Sequence, residues 1–173
     1  MLKNIILTIY IIIIGIALGT IILSANYNEY GLIQFGNTAL VEVEDNVLEP
    51  KIVTGDLVLI NTKDKKVKEK DIISYVTLEQ GAPAIRTNKI TAITTDVNNE
   101  KIYSLTKEDG TIENIDDSCI LGTFKVTIPL AGTILSYILT KQGFLTVTLI
   151  PAIILFIFFL ITFLIGVINK KRE

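Results

Sequence analysis

Residues 71–95 read DIISYVTLEQGAPAIRTNKITAITT, and this stretch decides the fold class. Two runs of strand-forming residues, Asp71–Leu78 and Ala84–Thr95, flank the turn residues Gly81-Ala82-Pro83. Runs of this length bounded by Gly and Pro are typical of β-strands. A mainly β domain is therefore expected, with four further strands predicted from runs of the same kind: Ala39–Val43, Asp56–Asn61, Lys101–Lys107 and Cys119–Ile128.

The other central segments carry weaker signals, and none has convincing helical periodicity. Leu130–Leu139 is expected to form a short helix or a strand lying on a membrane surface. The lysine-rich run Lys63–Lys70, KDKKVKEK, is interpreted as a solvated hairpin loop because its acidic residues dilute its positive charge. Cys119 is expected to be an ordinary strand residue.

Both ends of the chain are apolar, and residues 4–28 and 142–169 carry no charged side chain. As an α-helix, the run 5–23 would rise about 28 Å, which matches a hydrocarbon core of about 30 Å. The second run, 144–168, is longer and contains Pro151, which would kink a helix or mark its start. We therefore expect two transmembrane helices flanking the β domain.

This pattern divides the chain into an N-terminal transmembrane anchor (1–28), an extracytoplasmic β domain (29–143) and a second transmembrane helix with a basic tail (144–173). Lys3 precedes the first apolar run, and the basic tail follows the second. Positive charge favours the cytoplasmic side of a membrane, which predicts a two-pass protein of the cell membrane with both termini cytoplasmic.

A cleaved signal peptide is the alternative for the N-terminal run. Two observations argue against it. The apolar run exceeds the usual 7–15 residues of a signal-peptide core. The best exit, Leu23-Ser24-Ala25, has a bulky leucine where a small residue is preferred.

The composition excludes several classes of chemistry. The chain contains no histidine, so imidazole-based catalysis and histidine-ligated metal sites are excluded. A single cysteine can form neither an internal disulfide nor a cysteine metal cluster. No metal or other cofactor is expected. The formal net charge of −2 and the lack of a basic patch argue against nucleic acid as a partner.

Five short motifs occur in order through the central segment: VEDNVLEPKIVTGDLVLI (43–60), KEKDIISYV (68–76), IRTNKITAI (85–93), LTKEDGTIENIDD (105–117) and LGTFKVTIPLAG (121–132). This order resembles the signal peptidase I family, in its endoplasmic-reticulum and archaeal branch. That branch runs Ser-Gly-Ser-Met-Glu-Pro, Gly-Asp-Leu-Val, Gly-Asp-Ile-Ile-x-Tyr, Thr-His-Arg-Ile, Thr-Lys-Gly-Asp and Ile-Pro-x-x-Gly. The resemblance covers residues 41–132 and implies a signal-peptidase-like β fold with membrane anchors.

The departures from the family fall at its chemical positions. Aligning Glu49-Pro50 with the Glu-Pro of the family places Val47 at the nucleophilic serine, and valine has no hydroxyl with which to form an acyl-enzyme. Aligning Thr87-Asn88-Lys89-Ile90 with Thr-His-Arg-Ile places Asn88 at the general base. A carboxamide cannot take a proton from a hydroxyl. The resemblance therefore implies a degenerate member with no intact catalytic residues, in which Val47 and Asn88 lie near one another.

Two acids match the family's acidic positions. Asp109 keeps the acid of Thr-Lys-Gly-Asp, although Glu108 replaces the glycine, and Asp116 lies close to where a second acid is expected. Such acids orient the base and shape the site, so they accomplish no hydrolysis alone. Lys89 is a possible surrogate base, since burial can lower a lysine pKa. Along the sequence, the hydroxyl side chains nearest to Val47 are those of Thr38 and Thr54.

Three functions follow as hypotheses. The first is a catalytically inactive signal peptidase I-like membrane protein that binds or presents secreted or surface preproteins, or assists an active signal peptidase or assembly machinery. The second is an active signal peptidase that cleaves secretory preproteins with an unorthodox Ser/Thr-Lys dyad. The third is an unrelated two-span membrane sensor or scaffold.

Overall fold

The structure is a computed structural model that describes residues 2–63 and 66–170. Its internal contacts divide the chain into two compact units. Residues 26–135 form the sheet unit, and the chain on either side of them forms the helical unit. Each unit is described by itself below.

The sheet unit contains eight antiparallel strands: β1 (Ile33–Phe35), β2 (Thr38–Glu42), β3 (Leu57–Asn61), β4 (Ile72–Glu79), β5 (Ala82–Thr95), β6 (Lys101–Thr106), β7 (Ile112–Asp116) and β8 (Ile120–Ile128). Their order across the sheet is β1-β2-β3-β8-β4-β5-β6-β7. The prediction of a mainly β fold is therefore confirmed. All six predicted strands are present within two residues of their expected ends. The strands β1 and β7 were not predicted.

Strand β5 changes partner along its length, and this change positions the site described below. Its first part, Ala82–Lys89, pairs with β4, and its second part, from Ile90 onward, pairs with β6. A register shift marks the change of partner, between Ile90 and Ala92. Two apolar cores result. One packs around Ile73, Tyr103 and Leu105, and the other contains residues of β2, β3 and β8.

Three predictions about local structure are corrected: those for Cys119, for the β4–β5 turn and for the run Lys63–Lys70. Cys119 ends a 3₁₀ turn, Asp117–Cys119, and β8 begins only at Ile120. The hairpin turn between β4 and β5 consists of Gln80 and Gly81, which both have positive φ, as the favoured two-residue turn requires. Ala82 and Pro83 consequently belong to β5 rather than to the turn.

The lysine-rich run Lys63–Lys70 is not a hairpin loop. Strands β3 and β4 both pair with β8, which lies between them, so the run belongs to a crossover connection. The described part of the run also contributes Val67 to the apolar core. The prediction that the run is solvated holds for every described residue of it except Val67, since Lys63, Lys66, Lys68, Glu69 and Lys70 are all exposed.

The helical segments of the chain are α1 (Leu2–Ser24), α2 (Ala131–Leu139), α3 (Lys141–Gly143), a π-helical stretch (Phe144–Leu149) and α4 (Ile150–Lys170). Leu130–Leu139, expected as a helix or a strand, is thus mostly helical. The continuous helical stretch Lys141–Leu164 is long and apolar enough to cross a membrane. Within α1, the apolar stretch found among the described residues is Ile11–Ser24, which is shorter than a span. One candidate span is therefore found, and the prediction of two is not confirmed.

Candidate functional site

The residues that match the family's Gly-Asp and Pro-x-x-Gly motifs meet at one point, which we call the junction (Gly55, Asp56, Leu130, Gly132 and Thr133). The buried Asp56 carboxylate accepts hydrogen bonds from the Val53 and Leu130 amides, at 3.1 and 3.0 Å. The Thr133 amide donates to the Gly55 carbonyl at 3.0 Å. A Cβ atom added to Gly132 would lie 2.6 Å from the Asp56 carbonyl oxygen, so only glycine fits.

The junction also fixes the segment that leads to the cleft. The Val43 amide donates to the Asp56 carbonyl at 2.9 Å, and the Gly55 amide donates to the Val43 carbonyl at 2.8 Å. Gly55 has φ +87°, which a side chain would strain. Because Val43 is held in this way, residues 44–48 leave β2 in a defined direction.

Residues 44–48 and the first part of β5 enclose a cleft, which we call the central cleft. Val47 and Asn88 both line it. It has two adjoining compartments of about 410 and 280 Å³, which share Val47, Asn88, Lys107 and Glu108. The positions that the resemblance assigns to the nucleophile and to the base thus border the same space.

Asn88 is buried, with 3% of its surface exposed, and its carboxamide is fully engaged. Its Nδ2 donates to the Thr106 carbonyl at 2.7 Å, and its Oδ1 accepts from the Lys89 amide at 2.6 Å. The first of these bonds ties β5 to the end of β6, where the β5–β6 ladder has not yet begun. Asn88 therefore acts as a structural bridge in the wall of the cleft.

A carboxylate that the sequence did not single out lies in the floor of the cleft. Glu113 on β7 accepts hydrogen bonds from the Tyr75 hydroxyl, at 2.9 Å, and from the Thr77 hydroxyl. Lys107 Nζ lies 3.6 Å from Glu113 Oε1. Burial, and then the Glu113 carboxylate, raise the pKa of Tyr75 well above its ordinary value. The phenol therefore stays protonated and serves as a donor.

Arg86 joins residues 44–48 to the β4–β5 hairpin. Its Nε and Nη2 donate to the two carboxylate oxygens of Glu79, and its Nη1 donates to Glu44. The bidentate geometry is the stronger form of such a pair. These bonds raise the pKa of Arg86 and lower that of Glu79. This clamp holds Glu44, at the start of residues 44–48, against the β4–β5 hairpin.

Asp45 lies beside this clamp with a partly desolvated carboxylate. Its Oδ1 is inaccessible to solvent and has no hydrogen-bond partner among the described residues. Burial raises the pKa of Asp45, and the nearby Arg86 charge partly opposes that shift. The desolvation cost of the Asp45 carboxylate is therefore only partly compensated, by the Arg86 charge and a backbone hydrogen bond from Val47.

The two acids predicted from the resemblance are separated in the structure. Asp109 lines the central cleft together with Val47 and Asn88, and hydrogen bonds from Thr111 lower its pKa. Asp116 does not line this cleft. Its side chain caps the 3₁₀ turn by accepting from the Ser118 and Cys119 amides, and hydrogen bonds from Ser118 lower its pKa.

Lys89 lines the cleft, but its side chain is exposed. An exposed lysine lacks the burial that the surrogate-base hypothesis requires at this position. Thr54 does not line the cleft, and its hydroxyl donates to Oδ1 of Asn46, the residue before Val47, at 2.6 Å. Thr38 lies on β2, where its hydroxyl accepts from Lys125 Nζ at 3.0 Å.

The described residues contain no group of three or more His, Cys, Asp or Glu side chains arranged to hold a metal ion. No protein-family model and no curated protein matches the chain. The geometry of the central cleft is therefore the basis for any functional conclusion.

Proposed function

We propose that this protein is a catalytically inactive, signal peptidase I-like membrane protein that binds an extended segment of a secreted or surface preprotein in the central cleft. The observation that carries the proposal is that Val47 and Asn88, the residues at the nucleophile and base positions, border one cleft beside an open strand edge. A chain held there meets neither an attacking hydroxyl at position 47 nor a proton acceptor at position 88.

The open edge belongs to the first part of β5. Ala82–Lys89 pairs with β4 on one side, whereas β6 begins to pair only at Ile90. Among the described residues no strand pairs with the other side of this segment, so its backbone groups, apart from the Lys89 amide that Asn88 Oδ1 engages, can accept an added strand. An extended peptide can bind such an edge through main-chain hydrogen bonds, with alternate side chains entering pockets. Arg86 and Asn88 place this edge in the wall of the cleft.

A peptide-binding experiment tests the proposal. The full chain in lipid nanodiscs is titrated with a fluorescent peptide that spans the cleavage region of a secretory preprotein. We expect saturable binding and recovery of the intact peptide. Methylating alternate backbone nitrogens of the peptide should weaken binding at least tenfold in one of the two phases of alternation, because strand addition uses every second amide.

Paired variants of the protein locate the binding site. Val47→Arg should block the cleft and abolish binding. Val97→Arg, in an exposed turn outside the residues that line the cleft, introduces the same side chain and should leave binding unchanged. Equal binding by both variants would overturn the proposal, as would an absence of binding by the wild type. The second outcome would favour an unrelated sensor or scaffold.

An active peptidase is the second candidate, and the position of Thr54 beside Asn46 favours it over other unorthodox arrangements. That function requires Lys89 to act as the base. Cleavage of the peptide that is lost in both Thr54→Val and Lys89→Ala would support it. Cleavage of the peptide by the wild type would replace the binding function proposed above.

The same proposal includes a membrane topology. We propose that α1 and the stretch Lys141–Leu164 both span the cell membrane, with both termini cytoplasmic and the sheet unit extracytoplasmic. The candidate span found in the structure and the uncharged run at residues 4–28 support it. Partners of this protein would then include an active signal peptidase or the assembly machinery of a surface polymer. Cysteine labelling with a membrane-impermeant reagent at Val97→Cys and at the two termini tests the topology.

A further inference from the structure

The helical unit contains a crevice of about 620 Å³ that no part of the proposed function uses. It lies where the candidate span begins, between the last turns of α1 and the segment that enters Lys141–Leu164. Ile21, Ile138 and Phe144 give it apolar walls. Ile21 and Phe144 are both exposed, so the crevice is open to its surroundings.

The lining of the crevice includes one positive charge. Lys141 lines it, and its side chain is exposed. Within the described structure, Lys141 forms no ion pair. The sequence explains this, because residues 1–25 and 136–172 contain no Asp or Glu. Ser24, the last residue of α1, adds a hydroxyl to the same crevice.

Apolar walls that end in an unpaired cation match the chemistry of a phospholipid at a membrane boundary. We propose that this crevice binds a phospholipid with an anionic headgroup. Its phosphate would contact Lys141 and Ser24, and its upper acyl carbons would contact Ile21, Ile138 and Phe144. The proposal rests on the proposed span at Lys141–Leu164, because an empty crevice facing hydrocarbon would forfeit the contacts that close packing supplies. The proposal is independent of whether the central cleft binds a peptide.

Lipid retention by the full chain tests the proposal. The protein in mild detergent is mixed with phosphatidylglycerol, phosphatidylcholine or inorganic phosphate, and bound species are counted by native mass spectrometry. We expect phosphatidylglycerol to be retained about fivefold better than phosphatidylcholine, as one lysine near an anionic lipid predicts. Inorganic phosphate should not compete, since it lacks the acyl chains that contact the apolar walls.

Three variants assign the effect to the crevice. Lys141→Gln should remove the preference for phosphatidylglycerol, and Lys141→Arg should keep it. Lys170→Gln, which removes one charge at the C-terminal end of α4, should also keep it. Equal retention of both lipids by the wild type, or a preference that survives Lys141→Gln, would overturn the proposal. Competition by inorganic phosphate would identify a simple anion site instead of a lipid site.

Discussion

The junction and the central cleft differ in how closely they match the motifs of the signal peptidase I family that the sequence resembles. At the junction, Gly55, Asp56 and Gly132 match the family's residues, and each is required by a backbone contact or a buried hydrogen bond. In the cleft, Val47 and Asn88 depart from the family, and neither can perform the corresponding chemistry.

This difference separates two kinds of constraint. The junction residues are fixed by the fold, because a larger side chain or a lost acceptor would disturb buried backbone. The identities of the cleft residues are constrained by reaction chemistry only if the protein is catalytic. Asn88 has a structural role instead, since it joins β5 to the Thr106 carbonyl. The comparison therefore predicts large effects on stability at the junction and small ones at Val47 and Asn88.

The largest effect is expected for Gly132→Val. Its Cβ would lie 2.6 and 2.7 Å from the carbonyl oxygens of Asp56 and Gly55, which are backbone atoms that cannot rotate away. We expect a loss of about 3 kcal/mol in the free energy of unfolding, measured from the β-sheet circular dichroism of the full chain in detergent. Gly15→Val, at a helical glycine with no atom near its added Cβ, is the control. A tolerated Gly132→Val would break the comparison.

Asp56→Ala comes next. It removes the acceptor of the Val53 and Leu130 amides while leaving both donors in place. The expected loss is about 2 kcal/mol, since hydrogen bonds to a charged group contribute more than neutral ones. The same unfolding measurement reports it. An Asp56→Ala variant as stable as the wild type would show that the junction matches the family for some reason other than stability.

Asn88→Ala measures how much the Asn88 carboxamide contributes to stability. The change leaves the Thr106 carbonyl and the Lys89 amide without their partner. We expect a cost of about 1 kcal/mol, below that of Asp56→Ala, because both of the lost bonds are neutral. Hydrogen exchange at Lys89 should quicken in the variant. Unchanged exchange and stability together would mean that Asn88 serves no bridging role.

Asp116→Ala separates the two acids. Since Asp116 caps the 3₁₀ turn outside the cleft, its loss should cost about 0.5 kcal/mol and leave peptide binding intact. Its pKa is lowered in the folded state, so its contribution is present above the ordinary value of 3.8 and is lost as the pH falls through the folded-state pKa. Unfolding of both proteins between pH 7 and pH 2 should show the two curves converging. Weaker peptide binding by this variant would place Asp116 in the site after all.

The smallest effect is expected for Lys89→Ala. The side chain is exposed, so the free energy of unfolding should change by less than about 0.5 kcal/mol. Peptide binding should also persist, because the proposed main-chain contacts involve β5 itself. A substantial loss of stability or of peptide binding would indicate that the Lys89 side chain contributes to that property.

Much of the strand content could be predicted from local patterns. The runs around β4 and β5 are long and bounded by turn residues, so their existence did not depend on distant contacts. Strand β1 is only three residues long, and β7 reads IENID with two acids and an asparagine, which is too polar to stand out. The insertion of β8 between β3 and β4 depends on long-range pairing, which no local pattern encodes.

The sequence likewise predicted some residues of the candidate site and missed others. Ordered motifs pointed to Val47, Asn88 and Asp109, which the structure places around one cleft. Glu113 and Arg86 could not be identified, because their roles arise from the pairing of β7 with β6 and from the path of residues 44–48. The motif did not predict that Asp116 lies outside the cleft. The spacing of residues along a motif does not determine which of their side chains face the cleft.

The central claim is that the cleft binds a preprotein peptide without cleaving it, and intact-mass spectrometry tests this claim most directly. The full chain is incubated with the preprotein peptide for many hours, and the masses of peptide and protein are recorded together. We predict an uncleaved peptide and a protein with no added mass. A peptide cut at one position, or an acyl adduct on any hydroxyl of the chain, would contradict the account.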